Sequence, residues 1–205
     1  MRINRWQSLV KRLMDLGIAV LAVIIFSPLF ALCWIAVKVT SRGPALFLHS
    51  RIGKDGTPFT ILKFRTMNVG AHLNERRDSQ GANVIPPFDP RITPIGRLLR
   101  ATSIDELPQL LNVIRGDMSI VGPRPDDARD IVLYSPDDRR KLEMRPGITS
   151  LAMINGRNSI AWRERMEWEI RYVENYSLRL DVKILFKTIL VVLGRRGVYT
   201  PPTTS

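Results

Sequence analysis

The hydrophobic positions follow three successive patterns along this 205-residue chain. The first pattern is an unbroken run, Leu16–Val37, LGIAVLAVIIFSPLFALCWIAV, with no charge in its 22 residues. As a straight helix it would extend ~33 Å, the thickness of a bilayer's hydrocarbon core. From Val39 to Met67 the pattern shortens: a Gly43-Pro44 turn, an apolar run at Ala45–Leu48, a turn at Gly53–Gly56, and the alternating FTILKF from Phe59 to Phe64. That order predicts a strand-turn-strand hairpin. Beyond Ile92 the period becomes helical. ITPIGRLLRATS predicts a short helix, a second follows and ends at Gly116-Asp117, and Gly122-Pro123-Arg124-Pro125 reads as a rigid turn presenting an arginine. Ala128–Leu142 is a charged helical segment interrupted at Ser135-Pro136, RPGITS (Arg145–Ser150) is a loop, LAMI is an apolar patch, and Ser159–Leu193 is mostly helical.

These elements predict an α+β fold that is mostly helical. Residues 1–40 form a membrane segment and residues 41–198 a catalytic or binding domain, within which the polar stretch 68–88 (Gly70, Gly81, Pro86, Pro87) is a surface loop. Residues 199–205 form a disordered tail.

Ser27-Pro28 sits in the middle of the apolar run. A proline there removes one backbone hydrogen bond and crowds the carbonyl of Ile24, at roughly 3 kcal/mol unless the helix bends. A sharp kink is expected, and each half would reach only ~15–18 Å. That suits a re-entrant hairpin, with the Ser27 hydroxyl placed to satisfy a freed backbone group. Arg2, Arg5, Lys11 and Arg12 precede the run and Lys38, Arg42, Arg51 and Lys54 follow it, so charge gives no orientation for a straight span and both ends read as cytoplasmic. A kinked bitopic anchor is the alternative. A cleaved signal peptide fits poorly, because no A-x-A-like site interrupts the run. Trp162, Trp168, Tyr172 and Tyr176 at helical spacing read singly as core residues, but beside Arg and Lys they also suit helices lying at a membrane interface.

Composition narrows the chemistry. Thirty-one Lys and Arg against 19 Asp and Glu give a formal charge of +12, which favours nucleic acid, an anionic membrane or phosphorylated substrates as partners. One cysteine, Cys33, excludes an internal disulfide and a Cys-rich metal site, and two histidines, His49 and His72, make His-based metal or Ser-His-Asp chemistry a poor fit. A metal, if used, should be a hard ion bound by oxygen, such as Mg²⁺. Neither a P-loop nor a G-x-G-x-x-G signature is present.

The candidate chemistry lies in SIDELPQLLNV, Ser103–Val113. Ser103 and Glu106 match a capping box. Pro108 argues against it: in that register it would fall inside the helix and push Leu107 away from helical angles. A helix starting near Pro108 leaves Asp105 and Glu106 just outside a helix N-terminus, where anions are favoured and a phosphate and Mg²⁺ site is natural. An ionised aspartate beside a divalent ion can attack phosphorus, and Arg100 and Arg124 can hold phosphate oxygens.

KFRTM (Lys63–Met67), DPRITPIGRLLRATSIDELPQLLNVIRGDMSIVGPRP (Asp89–Pro125) and RPGITSLAMINGR (Arg145–Arg157) closely resemble the bacterial sugar transferase family, the monotopic polyprenyl-phosphate phosphoglycosyl transferases. The resemblance runs from about Lys11 to about Leu193 and looks like the family's minimal catalytic form. It implies a UDP-sugar:undecaprenyl-phosphate sugar-1-phosphate transferase that releases UMP and performs the first membrane step of bacterial glycan assembly (O-antigen, capsule, exopolysaccharide or glycoprotein). It further implies Asp105 as the nucleophile of a covalent phosphosugar intermediate, Glu106 assisting it, and Mg²⁺ at Asp105 and Glu106. Lys63, Arg65, Arg100 and Arg124 would contact substrate phosphates, and Ser27 and Pro28 would form the re-entrant break. The setting implied is the bacterial inner membrane, among phospholipid, with the active site on the cytoplasmic face. The family usually has Gln where this chain has His49, so no role is assigned to that position. The competing class is a basic membrane-anchored binding protein without catalysis, supported by charge alone; no nucleic-acid motif is present, and nucleic acid is not expected as a partner.

Overall fold

The computed structural model describes residues 4–71, 86 and 89–194. Most of the expected 68–88 loop, and the 199–205 tail, lie outside the described residues. Helix α1 (Arg5–Thr40) is continuous over 36 residues with Pro28 inside it, about 54 Å at 1.5 Å per residue. The expected break at Ser27-Pro28 therefore does not end the helix. Proline removes the N–H that would serve the Ile24 carbonyl, and the Ser27 hydroxyl donates to that carbonyl instead at 2.8 Å.

One stripe of α1 is buried, with Asp15, Ala19, Cys33 and Val37 at helical spacing. Its opposite face leaves Leu21, Ile24, Ile25, Leu32 and Ile35 largely exposed. An 18-residue window of α1 has mean hydropathy 2.7, and among the described residues α1 is the one helix long and apolar enough to cross a membrane. Both ends of its buried stripe are tied to the same body. Near the start, Arg12 donates to the carbonyls of Val113 and Ile114 at 2.7 and 3.1 Å, and Asp15 accepts from the Ser119 hydroxyl and the Ile120 N–H. At the far end, Arg65 donates to the carbonyls of Ser41 and Arg42, just past the helix.

The expected hairpin is present: β1 (Leu46–Ile52) pairs antiparallel with β2 (Pro58–Phe64), Phe47 opposite Lys63 and His49 opposite Ile61. Helix α2 (Pro94–Thr102) is capped by Thr93, whose hydroxyl accepts from Gly96 N–H. Gly96 lies against the backbone at Thr66, where an added Cβ would fall 2.0 Å from the carbonyl oxygen, so only glycine allows this approach. Helix α3 (Gln109–Arg115) stops at Gly116, which takes a left-handed φ of 99°.

One departure from the sequence reading has a local cause. Arg145–Ser150, expected as a loop, contains β4 (Gly147–Thr149), which pairs in parallel with β3 (Ser119–Val121). Three-residue strands carry no readable alternation, and this pairing depends on Gly122 and Gly147 approaching closely, an added Cβ on Gly147 meeting Gly122 N at 2.1 Å. The charged segment from Ala128 forms two 3₁₀ helices, Ala128–Leu133 and Asp138–Glu143, on either side of Ser135-Pro136. Short α4 (Leu151–Ile154), α5 (Trp162–Glu174) and α6 (Leu178–Leu193) follow. Asp181 of α6 accepts from Tyr172 of α5 at 2.6 Å and from Lys11 of α1 at 2.7 Å, locking three helices together. The outer face of α6 exposes Phe186, Ile189, Leu190 and Leu193.

Fully buried Asn112 joins α3 to β2. Its amide donates to the Thr60 carbonyl at 2.7 Å and accepts from Leu62 N–H at 3.0 Å. Asn112→Ala removes both bonds and leaves the buried Leu62 N–H without this acceptor, so a loss of about 1–3 kcal/mol is expected. Denaturant unfolding in detergent measures it, and a loss below about 1 kcal/mol would contradict the assignment.

Candidate active site

The chain turns from α2 into α3 through Ser103, a left-handed residue at φ 58°, and a 3₁₀ turn, Ile104–Glu106. Pro108 sits at the cap position of α3, as its chemistry requires. The capping box is not made: Ser103 forms no side-chain cap, and its hydroxyl accepts from Arg157 Nη2 at 2.8 Å. Asp105 and Glu106 are therefore carried on a tight elbow between two helices, both buried.

The elbow opens on a cavity of about 500 Å³, also lined by Lys63, Arg100, Arg124 and Arg157. Lys63, on β2, donates to Glu106 Oε1 at 2.8 Å, and Arg124 Nη2 lies 3.6 Å from the same oxygen. Burial pushes the Glu106 carboxyl up, but Lys63 and Arg124 more than offset it and hold Glu106 below the usual carboxylate range. Asp105 moves the other way. Burial and then the charge of Glu106 raise it to about 6, against the pull of Lys63, Arg100 and Arg157. Among the described residues, Asp105 has no hydrogen-bonded or ion-paired partner. Two adjacent carboxylates thus acquire different states: Glu106 is fixed and ionised, and Asp105 is unclaimed.

The other expected phosphate contacts divide. Lys63, Arg100 and Arg124 converge on the elbow, Arg100 being steered by its Nε–H bond to the Thr66 hydroxyl at 2.8 Å. Arg65 also borders the cavity, but it is 5% exposed and its guanidinium serves Ser41 and Arg42. These bonds tie the end of β2 to the end of α1, while its Nε is buried without a hydrogen-bonded partner. His49 faces the cavity too, 3.4 Å from Asp127 and beside the Phe47 ring.

Sequence reasoning assigned no role to Arg157. It ends RPGITSLAMINGR, follows Gly156 at φ 151° and itself adopts φ 59°. A non-glycine residue in the left-handed region beside a cavity is a known mark of functional sites, but sequence alone does not show it.

Among the described residues there is no group of three or more Asp, Glu, His or Cys side chains that could enclose a metal. Mg²⁺ does not need one: it commonly takes one or two carboxylates, with phosphates and water completing its shell. The unclaimed Asp105 carboxylate beside Glu106 fits that donor set.

Known proteins include relatives of this chain. The chain is 45% identical over 200 residues to an uncharacterized sugar transferase of Haemophilus influenzae, covering 93% of this chain but 42% of that protein. It is 43% identical over 190 residues to the uncharacterized sugar transferase EpsL of Bacillus subtilis, covering 93% of this chain and 90% of EpsL. It is 41% identical over 197 residues to the UDP-glucose:undecaprenyl-phosphate glucose-1-phosphate transferase of Caulobacter vibrioides, covering 92% and 72% respectively. With residues 6–195 matching the bacterial sugar transferase family as a whole, elbow and cavity included, the chain belongs to that family.

Proposed function

We propose that this protein transfers a sugar 1-phosphate from a UDP-sugar to undecaprenyl phosphate, releasing UMP, through a covalent intermediate on Asp105. The observation that carries this reading is the buried, unpartnered Asp105 carboxylate opening on a cationic cavity. The Caulobacter relative's name supports the substrate class. In the first step an Asp105 oxygen bonds to the phosphorus that bears the sugar. The bond from that phosphorus to the oxygen bridging to UMP breaks, and UMP leaves with the electron pair. In the second step the lipid phosphate attacks the same phosphorus and Asp105 is released as a carboxylate. Arg100, Arg124 and Arg157 offset charge on the phosphates, and Lys63 keeps Glu106 ionised and fixed. Asp105 and Glu106 would hold Mg²⁺, which supplies further neutralisation of phosphate charge.

A re-entrant, monotopic placement on the cytoplasmic face of the bacterial inner membrane accompanies this reading. Its support is that Arg12 and Ser41, at opposite ends of the apolar segment, both bond to the catalytic body. The exposed apolar faces of α1 and α6 would then meet phospholipid. The product would enter a bacterial glycan pathway such as exopolysaccharide synthesis.

Mixing the protein with UDP-sugars and Mg²⁺, without lipid phosphate, should give a phosphosugar adduct by intact-protein mass spectrometry. Asp105→Asn should lose the adduct and lower UMP release by about a thousandfold or more. Turnover by the wild type with no adduct for any donor would replace the covalent route with a direct one. Labelling of single cysteines placed at residues 5–10 and in α6 should find both on one face of the membrane, and opposite faces would exclude the re-entrant placement.

The raised Asp105 carboxyl also predicts a pH dependence in metal-free protein. Because its folded pKa lies above the ordinary 3.8, the folded state binds this proton more tightly than the unfolded chain does. The stability it contributes is fully present below about pH 4 and is lost as pH rises through about 6. Thermal unfolding in EDTA across this window should show a falling Tm component that Asp105→Asn removes; an unchanged slope in that variant would refute the assignment.

A further inference from the structure

Gln109, the first residue of α3, borders the same cavity and is 2% exposed, yet its Nε2 is buried without a hydrogen-bonded partner. Asn112, on the same short helix and equally buried, has both ends of its amide bonded to β2. The contrast matters because an unsatisfied buried donor destabilises a fold, and such groups in otherwise well-bonded structures mark ligand sites or catalytic roles. Nothing in the packing of α3 uses the Gln109 amide.

Its position indicates what it meets. Gln109 follows Asp105 by four residues, about one helical turn, and shares the cavity with the nucleophile and with Lys63, Arg100, Arg124 and Arg157. Those four cations would be drawn to Asp105 or Glu106 in the absence of substrate, as Lys63 already is. A neutral amide is not drawn in this way and remains available to an incoming oxygen. The terminal bond of a glutamine has broad, roughly two-fold freedom, so rotation can turn Nε2 toward the cavity without leaving a favoured rotamer.

We propose that Gln109 is a catalytic residue whose Nε2 donates a hydrogen bond to a non-bridging oxygen of the phosphoryl group being transferred. The inference rests on the function proposed above and names one further ligand of the same reaction. No proton changes hands: the Asp105 oxygen–phosphorus bond forms, the phosphorus–oxygen bond to UMP breaks, and the Gln109 N–H remains a donor throughout. Its contribution is greatest where charge spreads over the equatorial oxygens at the transition state, so it acts on the rate of transfer more than on donor binding.

The test uses the full chain in detergent, with Mg²⁺ and a panel of UDP-sugars, and reads phosphosugar adduct formation in a single turnover together with Tm. Gln109→Met keeps the volume and removes the orphaned donor. It should form adduct about a hundredfold more slowly, with donor KM little changed and Tm equal to or above wild type. Gln109→Glu, the same size without the donor, should be similarly slow. Adduct formation by Gln109→Met at the wild-type rate overturns the proposal. A lowered Tm alongside the slower rate also overturns it, because the residue would then be structural. An inert wild type overturns both this proposal and the function it rests on, whereas an active wild type with an unaffected Gln109→Met overturns this proposal alone.

Discussion

The ion pair between Lys63 and Glu106 decides the chemistry of the elbow. Two carboxylates adjacent in sequence and both buried would repel one another, and either could take up the shared proton. Lys63 approaches only one of them, at 2.8 Å from Glu106 Oε1. Glu106 is thereby held ionised, its charge raises its neighbour, and Asp105 is left without a partner. The two residues differ less in side-chain chemistry than in which one a strand from elsewhere in the chain happens to reach.

The rest of the fold serves that approach. Among the described residues, Lys63 lies on a two-stranded hairpin that meets further backbone only at a bridge from Ile52 to Asp126, so the hairpin's position is set by what packs on it. Asn112 fixes β2 to the helix that follows the elbow, and Gly96 lets α2 close onto Thr66, which in turn steers Arg100. Arg65, two residues beyond Lys63, fastens the end of the same strand to the end of α1. Each bond joins segments far apart in sequence, and together they bring the cations and carboxylates to one cavity, with Lys63 within hydrogen-bonding distance of Glu106.

Much of this was legible in the sequence wherever a local rule operated. Pro108 marked the start of α3, Gly116 its end, FTILKF a strand, and Ser27 the acceptor freed by Pro28, because each of these is settled within a few residues. What sequence could not give was partnership. The approach of Gly122 to Gly147 made a strand of a segment that reads as a loop. Arg65 and Arg124 look alike on paper, but one meets backbone carbonyls and the other a carboxylate. Helix α1 runs on through Pro28 because the Ser27 hydroxyl bonds the Ile24 carbonyl that the proline leaves free, while Ala19, Cys33 and Val37 on either side are packed against the body.

The fastening of α1 at both ends to one body carries a consequence for where such a protein could reside. A helix that spans a bilayer feels its thickness and is sorted by it. On the one-faced placement proposed above, α1 would enter a single leaflet, and its depth would be set by the body to which both its ends are fastened. The cavity's height above the lipid would then be a built-in dimension of the molecule, the same in thin and thick membranes alike.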